Sequence, residues 1–371
     1  MATTSTYACM VVGTGPAGLA AALSLASIGA EVTLAGPPAP VAAAADTRTA
    51  ALFNGSITLL QNLGVWDGLE AVSAPLEAIR IVDDTGGILR APEVLFEARE
   101  VGESVFGWNV PHGPLGEALW QAVQRHPRIT VVETARVEHV VIGSDEVVAR
   151  TAEGEELKAR LVAAADGRNS ICRAAAGIAT TKWDYDQAAI AIRFEHSRPH
   201  GNVSTEFHRK SGPLTTVPLP GLASSLVWVE RPAIAKRLVE LDDDGFRVVL
   251  ETRLQGLLGR VGELGPRRLF PLSALTAEAY ARSRVALIGE AAHVIPPIGA
   301  QGLNLGLRDA ATLADCVAGA LARGEDIGGD AVMRQYHERR KTDVESRIMA
   351  VDARSEERRV GKECRSRWSP Y

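Results

Sequence analysis

Three closely spaced glycines constrain the fold of this chain more than any other feature of its sequence. They follow the pattern G-x-G-x-x-G over Gly13–Gly18, between an apolar stretch at Ala8–Val12 and an Ala/Leu-rich stretch at Pro16–Ile28. With a second apolar stretch at Glu31–Ala35, the pattern predicts a strand, a helix and a parallel strand. The first glycine then allows a tight turn, the second admits a pyrophosphate, and the third lets helix and strand pack closely. The sequence therefore predicts a dinucleotide site; a glycine-rich turn without a ligand is the alternative.

One residue that usually accompanies this pattern is absent. An acid at the end of the second strand usually accepts hydrogen bonds from the adenosine ribose. Ala35 and Gly36 occupy that place here, and Glu31 lies too early, at the start of the strand. We therefore expect the ribose to be held by another part of the chain, or more loosely.

The composition is that of a globular protein with a sizeable core. The 371 residues, 46% of them apolar and 23% charged, suffice for two domains or for one large α/β unit with an inserted layer. A net charge of −5 without a basic block argues against a nucleic-acid partner. The scattered cysteines predict reduced thiols, and the histidine spacing predicts no metal site. The uncharged stretch Tyr7–Ala30 has no basic start and is interrupted by glycines, so we interpret it as buried strand and helix rather than as a signal peptide or membrane span.

Two later stretches combine an apolar strand, an acid, a glycine and a helix start. In Leu161–Ser170, Asp166 and Gly167 follow the apolar run, and Ser170 is placed to cap a helix. In Leu287–Asp309, an acid and two prolines follow the apolar run, and Gly299, Gly302 and Gly306 then open a helical pattern that runs to about residue 322. A helix that begins at a glycine-rich loop offers free N–H groups and the positive end of its dipole to an anion. This second stretch therefore predicts an anion site.

The middle of the chain is rich in predicted strands. Ile79–Val82 and Ile88–Arg90 predict a hairpin around two adjacent glycines. Between residues 187 and 230, alternating stretches predict an antiparallel sheet inserted into the α/β unit. These stretches are Ala189–Phe194, Val203–Phe207, Leu214–Leu219 and Leu226–Val229. Helical patterns follow at Pro232–Leu238, Gly245–Leu258 and Ala331–Val351.

Four of these stretches, in this order, resemble one family. They are the glycines from Gly13, D-T-R-T-A-A-L around Arg48, A-A-D-G-R-N-S around Asp166, and G-E-A-A-H-V-I-P-P-I-G-A-Q-G-L-N from Gly289. The set resembles the FAD-dependent aromatic-ring monooxygenases typified by para-hydroxybenzoate hydroxylase, and most closely the ubiquinone-biosynthesis hydroxylases. The resemblance covers about Tyr7–Val351.

The resemblance implies an α/β fold: a Rossmann-like FAD-binding domain with an inserted antiparallel β-sheet substrate domain and C-terminal helices. We expect the FAD-binding domain to be discontinuous, over residues 1–75, 106–182 and 268–325. The substrate-binding sheet domain would take residues 76–105 and 183–267, and a C-terminal helix residues 326–353.

The resemblance also implies which residues bind FAD. They are Gly13, Gly15, Pro16, Ala17, Gly18, Arg48, His112, Asp166, Gly167, Gly289, Glu290, Pro297, Gly299, Gln301, Gly302, Leu303 and Asn304. Asp166 and Gly167 would support both FAD and nicotinamide binding, and Glu290 would bond the ribityl chain. Leu303 and Asn304 would present backbone N–H groups to the O2 side of the flavin, where the helix dipole stabilises the charge of the reduced ring.

Three features besides the missing ribose acid depart from the family pattern. Glu290 stands where Asp is usual, and His112 stands where related enzymes usually carry Gln or Arg against the ribityl chain. A surface histidine without that role is the alternative for His112. From Arg354 to Tyr371 the chain is basic and has no helical apolar period. We interpret this tail as non-native sequence; a basic segment that contacts a membrane is the alternative.

The activity implied is hydroxylation of the aromatic ring of a phenolic, polyprenyl ubiquinone precursor, with NAD(P)H and O2, through a flavin C4a-hydroperoxide. We expect the substrate pocket to be lined by Leu214, Thr216, Pro218, Trp228 and Pro296, although an apolar strand can equally be core. No catalytic side chain is assigned, because the reaction needs an activated phenol more than a protein nucleophile. His293 is expected to be a turn residue bonded to the backbone.

Two other functions stay open at this point. A flavin-dependent dehydrogenase or reductase would share the FAD motifs, and so would a non-enzymatic FAD-binding partner in a biosynthetic protein complex. A protein electron donor could replace NAD(P)H. The expected location is cytoplasmic, with at most peripheral contact at the inner membrane face.

Overall fold

The computed structural model describes residues 6–38, 48–87, 90–296 and 300–345. Two predicted cofactor residues, Pro297 and Gly299, lie outside the described residues. So do Ile88 of the predicted hairpin and the basic tail, Arg354–Tyr371.

The elements follow the chain in this order. The strands are β1 Thr6–Val12, β2 Val32–Gly36, β3 Thr49–Phe53, β4 Ala74–Leu76, β5 Ala78–Asp83, β6 Val94–Glu97, β7 Gly107–Pro111, β8 Ile129–Glu133, β9 Val137–Ile142, β10 Val147–Thr151, β11 Glu156–Ala164, β12 Thr180–His196, β13 Val203–His208, β14 Leu214–Leu219, β15 Ala223–Glu230, β16 Val261–Leu264, β17 Arg268–Ala277, β18 Ala281–Arg282, β19 Val285–Leu287 and β20 His293–Val294. The helices are α1 Pro16–Ser27, α2 Asn54–Asn62, α3 Asp67–Glu70, α4 His112–Arg125, α5 Ile171–Ala175, α6 Pro232–Glu240, α7 Asp243–Leu254, α8 Gln301–Arg323 and α9 over residues 330–345.

The first sheet brings the glycine loop and the Asp166 stretch to one edge. Its strands run in the order β18-β19-β11-β1-β2-β8, and β1 pairs in parallel with both β11 and β2. The predicted strand–helix–strand unit is therefore present, with α1 between β1 and β2. The carboxyl ends of parallel strands meet at the same edge of a sheet, which is where such folds bind ligands.

The second sheet carries the predicted inserted layer. Its strands run in the order β20-β17-β12-β15-β14-β13-β5-β6, with β16 paired to β12. Most pairs are antiparallel as predicted, but β13 pairs with β5 in parallel. Helices α6 and α7 cover one face, where Trp228, Phe246 and Leu250 belong to one buried apolar cluster. A third sheet of three strands, β3-β7-β4, bonds to β15 through side chains described below.

One sequence prediction differs from the structure in this layer, and another is only partly covered by the described residues. Strand β5 pairs with Val94–Glu97, whereas most of the predicted partner Ile88–Arg90 lies outside the described residues. The carboxylate of Asp83, at the end of β5, accepts the N–H groups of Thr85 and Ala91. The stretch 268–277, assigned from sequence to the FAD-binding domain, forms β17 and pairs with β12 in the second sheet. The remaining domain division stays a prediction.

Candidate cofactor-binding site

The glycine loop after β1 packs directly against the end of β11. A Cβ atom on Gly13 would lie 2.2 Å from the Ala165 carbonyl oxygen, and one on Gly18 would lie 2.1 Å from the Gly13 carbonyl oxygen. Gly15 has no neighbouring atom within 4 Å of its Cβ position, so it borders open space. The first and third glycines thus allow close packing, and the second leaves room for a ligand.

A cavity of about 800 Å³ adjoins this loop at the carboxyl edge of the first sheet. One wall is formed by Val12–Gly15 and by residues 35–37 at the end of β2. Residues 135–139, which follow β8, also line the cavity, and Ala165, Asp166, Gly167, Asn169 and Ile171 complete the lining. The volume is in the range of small-molecule and cofactor sites.

The first turn of α1 points its N–H groups toward the same space. Gly15 is the N-cap residue, and no side chain among the described residues caps it. Backbone donors at a helix N-terminus are left without intrahelical acceptors and carry the positive end of the helix dipole. This arrangement suits a phosphate group, as the glycine pattern predicts.

Asp166 presents an unsatisfied acceptor at this cavity. Its Oδ2 accepts the N–H of Cys172 at 3.1 Å, while its Oδ1 is buried with no hydrogen-bond partner in the part of the chain that the structure describes. A buried carboxylate oxygen costs free energy unless a donor reaches it. Ribose and ribityl hydroxyl groups are donors of the kind that this oxygen lacks, so the site fits a flavin dinucleotide.

Arg173 joins the Asp166 stretch to the Gly289 stretch, a link that sequence reasoning missed. The Ser170 hydroxyl caps α5 by accepting the Arg173 N–H at 2.9 Å, as predicted. The buried guanidinium of Arg173 donates to the Ala291 carbonyl and to the Arg168 carbonyl, both at 2.8 Å. The sequence signal was the position of an arginine one turn after the cap.

Glu290 lies at the rim of the site rather than in its interior. Its carboxylate pairs with Arg168 at 3.3 Å, and the two side chains are 58% and 52% exposed. An ion pair this exposed contributes little stability. Glu290 therefore retains freedom to turn toward a ligand, and its role at the ribityl chain stays a prediction.

A buried carboxylate holds the backbone on either side of Glu290. Asp309 accepts the Gly289 N–H at 2.8 Å, the His293 ring at 2.8 Å through Nε2, and the Arg340 guanidinium at 2.6 Å through Nε. His293 therefore bonds a side chain, where the sequence led us to expect a backbone partner. Burial disfavours the charged form of Asp309 and by itself would raise its pKa. His293, Arg340 and the Gly289 N–H stabilise the charged form by more, so the pKa of Asp309 lies below the ordinary value.

Asn304 fixes the start of α8 against β3 and α2. Its Oδ1 accepts the Phe53 N–H at 3.0 Å and the Ser56 hydroxyl at 2.7 Å. Its Nδ2 donates to the Ala51 and Ala300 carbonyl oxygens at 2.8 and 2.6 Å. The oxygen and the nitrogen of the Asn304 amide are thus both hydrogen-bonded within the protein. In this first turn of α8, the backbone N–H groups of Gly302 and Leu303 have no intrahelical acceptors and can bind a ligand.

Arg48 and His112 lie side by side, although they are far apart in sequence. The His112 N–H donates to the Arg48 carbonyl at 2.9 Å, next to the antiparallel pair of β3 and β7. The Arg48 guanidinium lies over the Phe270 ring, 5.8 Å from its centre. Because Phe270 belongs to β17, these two predicted cofactor residues lie where the three-stranded sheet and the second sheet approach each other.

The predicted substrate residues on β14 and β15 lie on the other face of the second sheet. Leu214 and Trp228 are opposite each other in the ladder, and both belong to the cluster covered by α6 and α7. Thr216 shares that face, since it is opposite Leu226 of the same cluster. These three side chains are therefore core residues, and the expectation that they line the pocket is wrong. Side chains alternate along a strand, so a shift of one residue exchanges the two faces.

The inner face of these strands is turned toward the three-stranded sheet. The Ser225 hydroxyl accepts from the Thr49 hydroxyl at 2.9 Å, and the Asn109 amide donates to the Pro218 carbonyl at 2.8 Å. The backbone of Pro218 thus contacts β7 of the three-stranded sheet. The half-buried residues of the inner face are Thr215, Val217 and Val227. Pro296 is buried just after β20.

Two negative observations concern the described ranges alone. Within them, no group of three or more His, Cys, Asp or Glu side chains is placed to hold a metal ion. No described helix combines the length and apolar character that a membrane crossing requires.

Comparison with known sequences places the chain among flavoproteins. The sequence pattern of the FAD binding domain family matches residues 6–350. The ubiquinone hydroxylase UbiL of Rhodospirillum rubrum is 35% identical over 347 residues, which cover 93% of this chain and 80% of that protein. The 3-demethoxyubiquinol 3-hydroxylase of Escherichia coli is 32% identical over 338 residues, which cover 90% of this chain and 85% of that protein.

Comparison with solved structures supports the same fold. The crystal structure of PqsL from Pseudomonas aeruginosa, a probable FAD-dependent monooxygenase, superposes with a TM-score of 0.77 and covers 96% of this chain and 99% of that one. The sequences are 18% identical, so this likeness concerns the fold alone.

Proposed function

The chain belongs to the FAD binding domain family, and from that premise we propose that it is a monooxygenase acting in ubiquinone biosynthesis. Its substrate would be a phenolic, polyprenyl ubiquinone precursor, hydroxylated on the ring with NAD(P)H and O2. The observation that carries the proposal is similarity above 30% identity, over about nine tenths of the chain, to a ubiquinone hydroxylase and to a 3-demethoxyubiquinol 3-hydroxylase.

Different residues of the cavity would bind different groups of FAD. FAD, when bound, accepts a hydride from NAD(P)H and activates O2 for transfer of one oxygen atom to the ring. Gly13–Gly18 and the first turn of α1 would hold the pyrophosphate, and Asp166 would accept from a hydroxyl group through its unsatisfied Oδ1. The N–H groups of Gly302 and Leu303 would stabilise negative charge on the reduced ring system.

The inner face of the second sheet is the proposed wall of the substrate cavity. Thr215, Val217 and Val227 are half-buried there, and Phe270 lies on the same side beneath Arg48. Small and apolar side chains suit a phenol that carries a prenyl chain, and they exclude water from the oxygen-transfer step.

The same proposal covers partners and location. We propose a cytoplasmic protein that acts alone or in a biosynthetic protein complex and makes at most peripheral contact with a membrane. The absence of a membrane-crossing helix among the described residues is compatible with this location. Flotation of the purified protein with liposomes tests the contact: protein that stays at the bottom of the gradient argues against it.

Incorporation of labelled oxygen tests the reaction. The purified protein with FAD, NADH or NADPH, a short-chain prenylphenol and ¹⁸O₂ should give a product heavier by one labelled oxygen atom, detected by mass spectrometry. Substrate oxidation without the label would favour a flavin dehydrogenase or reductase. Bound FAD that neither electron donor reduces, with any ring substrate, would favour the non-enzymatic partner.

A further inference from the structure

The end of β2 lacks the acid that usually bonds the adenosine ribose, and a side chain at Gly36 would press against Thr14. A Cβ atom on Gly36 would lie 3.0 Å from the Thr14 methyl carbon, and Ala35 is fully buried. The Thr14 hydroxyl donates to the Pro37 carbonyl at 2.6 Å, which keeps the threonine in this place. The ribose acceptor must therefore come from another element.

The chain that follows β8 passes directly beside this position. The Thr134 N–H donates to the Gly36 carbonyl at 3.1 Å, and residues 135–139 line the same cavity as residues 35–37. The acids that line the cavity in the described part of the chain are Glu138 and Asp166. Asp166 follows β11, beside the glycine loop, whereas Glu138 belongs to the segment that follows β8, next to the end of β2. Glu133 is closer to Gly36 in the ladder but does not line the cavity, so Glu138 is the cavity acid on the β2 side.

The neighbours of Glu138 position its carboxylate at the cavity and leave it able to accept further hydrogen bonds. The Arg136 guanidinium donates to Oε1 of Glu138 at 2.5 Å. The backbone at Arg136 is itself fixed, because its carbonyl accepts from Ala152 N–H at 3.0 Å and from the Thr134 hydroxyl at 2.9 Å. A carboxylate offers about four lone-pair sites, so one arginine contact leaves capacity for two ribose hydroxyl groups. The Glu138 side chain is 34% exposed, which leaves it accessible to a ligand.

We propose that Glu138 accepts the hydrogen bonds of the adenosine ribose of FAD, in place of the acid absent from β2, and that Arg136 positions its carboxylate. The inference rests on the proposed function, since it presumes that the cavity binds FAD. In proteins with this βαβ unit, the ribose contact usually comes from the unit itself. Here it would come from Glu138 in β9, outside the unit.

The test compares two ligands on three proteins. Apoprotein is titrated with FAD and with an FAD analogue that carries 2′-deoxyadenosine, and the quenching of flavin fluorescence gives each Kd. The proteins are wild type, Glu138→Gln and the matched control Glu133→Gln. Glu133 lies beside Gly36 in the ladder and loses the same charge, but its side chain is not part of the cavity wall.

Wild type should bind FAD about tenfold more tightly than the deoxy analogue, which is the effect of a hydrogen bond to a charged acceptor. Glu138→Gln should bind FAD about tenfold more weakly than wild type and should lose most of the preference for the ribose hydroxyl. Glu133→Gln should behave as wild type. Arg136→Gln should weaken FAD binding less than Glu138→Gln does.

Two outcomes would overturn the inference. Glu138→Gln could keep the full preference for FAD over the deoxy analogue, or Glu133→Gln could lose as much affinity as Glu138→Gln. Either result would leave FAD binding by wild type intact and would concern Glu138 alone. Wild type that binds neither ligand would instead contradict the proposed function.

Discussion

At the scale of single residues, Gly18 has the most stringent requirement in the cofactor loop. It lies inside α1, where alanine would normally be the better helix former. Its Cβ position is 2.1 Å from the carbonyl oxygen of Gly13 and 3.1 Å from the Ala165 side chain. The loop can turn from β1 into α1 only because no side chain is present there.

Gly18→Ala should therefore destabilise the protein and weaken FAD binding. Overpacking of this kind costs about 1–3 kcal/mol, and backbone atoms cannot move aside as a flexible side chain would. Gly55→Ala is the matched control, since Gly55 is also helical and no atom lies within 4 Å of its Cβ position. That control should gain about 0.5–1 kcal/mol. Urea unfolding of the apoproteins measures both changes, and equal stability of the two variants would contradict the assignment.

At the scale of elements, the two faces of β15 serve different purposes. Trp228 is buried against Phe246 of α7, with ring centres 6.3 Å apart, and stabilises the helical layer. Val227, its neighbour, lies on the inner face toward the proposed substrate cavity. One strand thus contributes alternately to stability and to the site.

Alanine substitutions at these neighbouring positions should have opposite consequences. Trp228→Ala should lower the free energy of unfolding by about 3–5 kcal/mol, as for other buried tryptophans. Val227→Ala should lower the free energy of unfolding by much less, about 1 kcal/mol, because Val227 is only partly buried against Ala189 and Leu272. It should also raise KM for a prenylphenol by about three- to tenfold, because apolar contact with the substrate is lost. Thermal unfolding and steady-state kinetics separate the two effects. An unchanged KM in Val227→Ala, with a stability loss as large as that of Trp228→Ala, would place Val227 in the core instead.

At the scale of the whole molecule, the C-terminal helix α9 is bonded to the segments around Gly289. The Tyr336 hydroxyl donates to the Leu287 carbonyl at 2.7 Å, and the Tyr280 N–H donates to the His337 ring at 3.1 Å. Arg340 reaches Asp309, which in turn holds Gly289 and His293. The buried carboxylate of Asp309 in α8 thus connects α9 to the predicted flavin-binding segment around Gly289.

Removal of that charge should destabilise the protein in a pH-dependent way. Asp309→Asn removes one of the two carboxylates that contact the buried Arg340, which still pairs with Asp343 at 2.7 Å. We therefore expect a loss of about 3 kcal/mol near pH 7, the lower end of the range for breaking a buried ion pair. The pKa of Asp309 in the folded protein lies below its unfolded value of about 3.9. The extra free energy of unfolding that its charge gives to wild type is therefore fully present above about pH 3.9. The advantage disappears as the pH falls through the folded pKa. Urea unfolding at pH 7 and at pH 3 should therefore show a large difference between wild type and variant at pH 7 and a smaller one at pH 3.

Asp315→Asn provides the control for this prediction. Asp315 lies on the same helix and pairs with an arginine of α9, Arg339, at 3.1 Å, but its side chain is 65% exposed. Its replacement should cost less than about 1 kcal/mol at any pH. A gap between wild type and Asp309→Asn that stays constant down to pH 3 would mean that the charge of Asp309 is not the source of the stability.

The sequence by itself determined the features that depend on neighbouring residues. The strand–helix–strand unit around Gly13–Gly18, the cap at Ser170 and the range of β14 follow from local spacing and agree with the structure. These features need only backbone dihedral preferences and apolar periodicity, which are set within a few residues. The resemblance of four motifs further fixed the family.

Only the tertiary structure decided which distant residues meet. It turned Leu214, Thr216 and Trp228 toward the helical layer, began β6 at Val94, and brought Arg340 to Asp309. It also placed Glu138 beside the end of β2, about a hundred residues along the chain. A strand pattern of alternating residues is compatible with either face, and a charge gives no local sign of its partner. Packing between elements makes that choice, because it buries one face and requires each buried charge to find its counterpart.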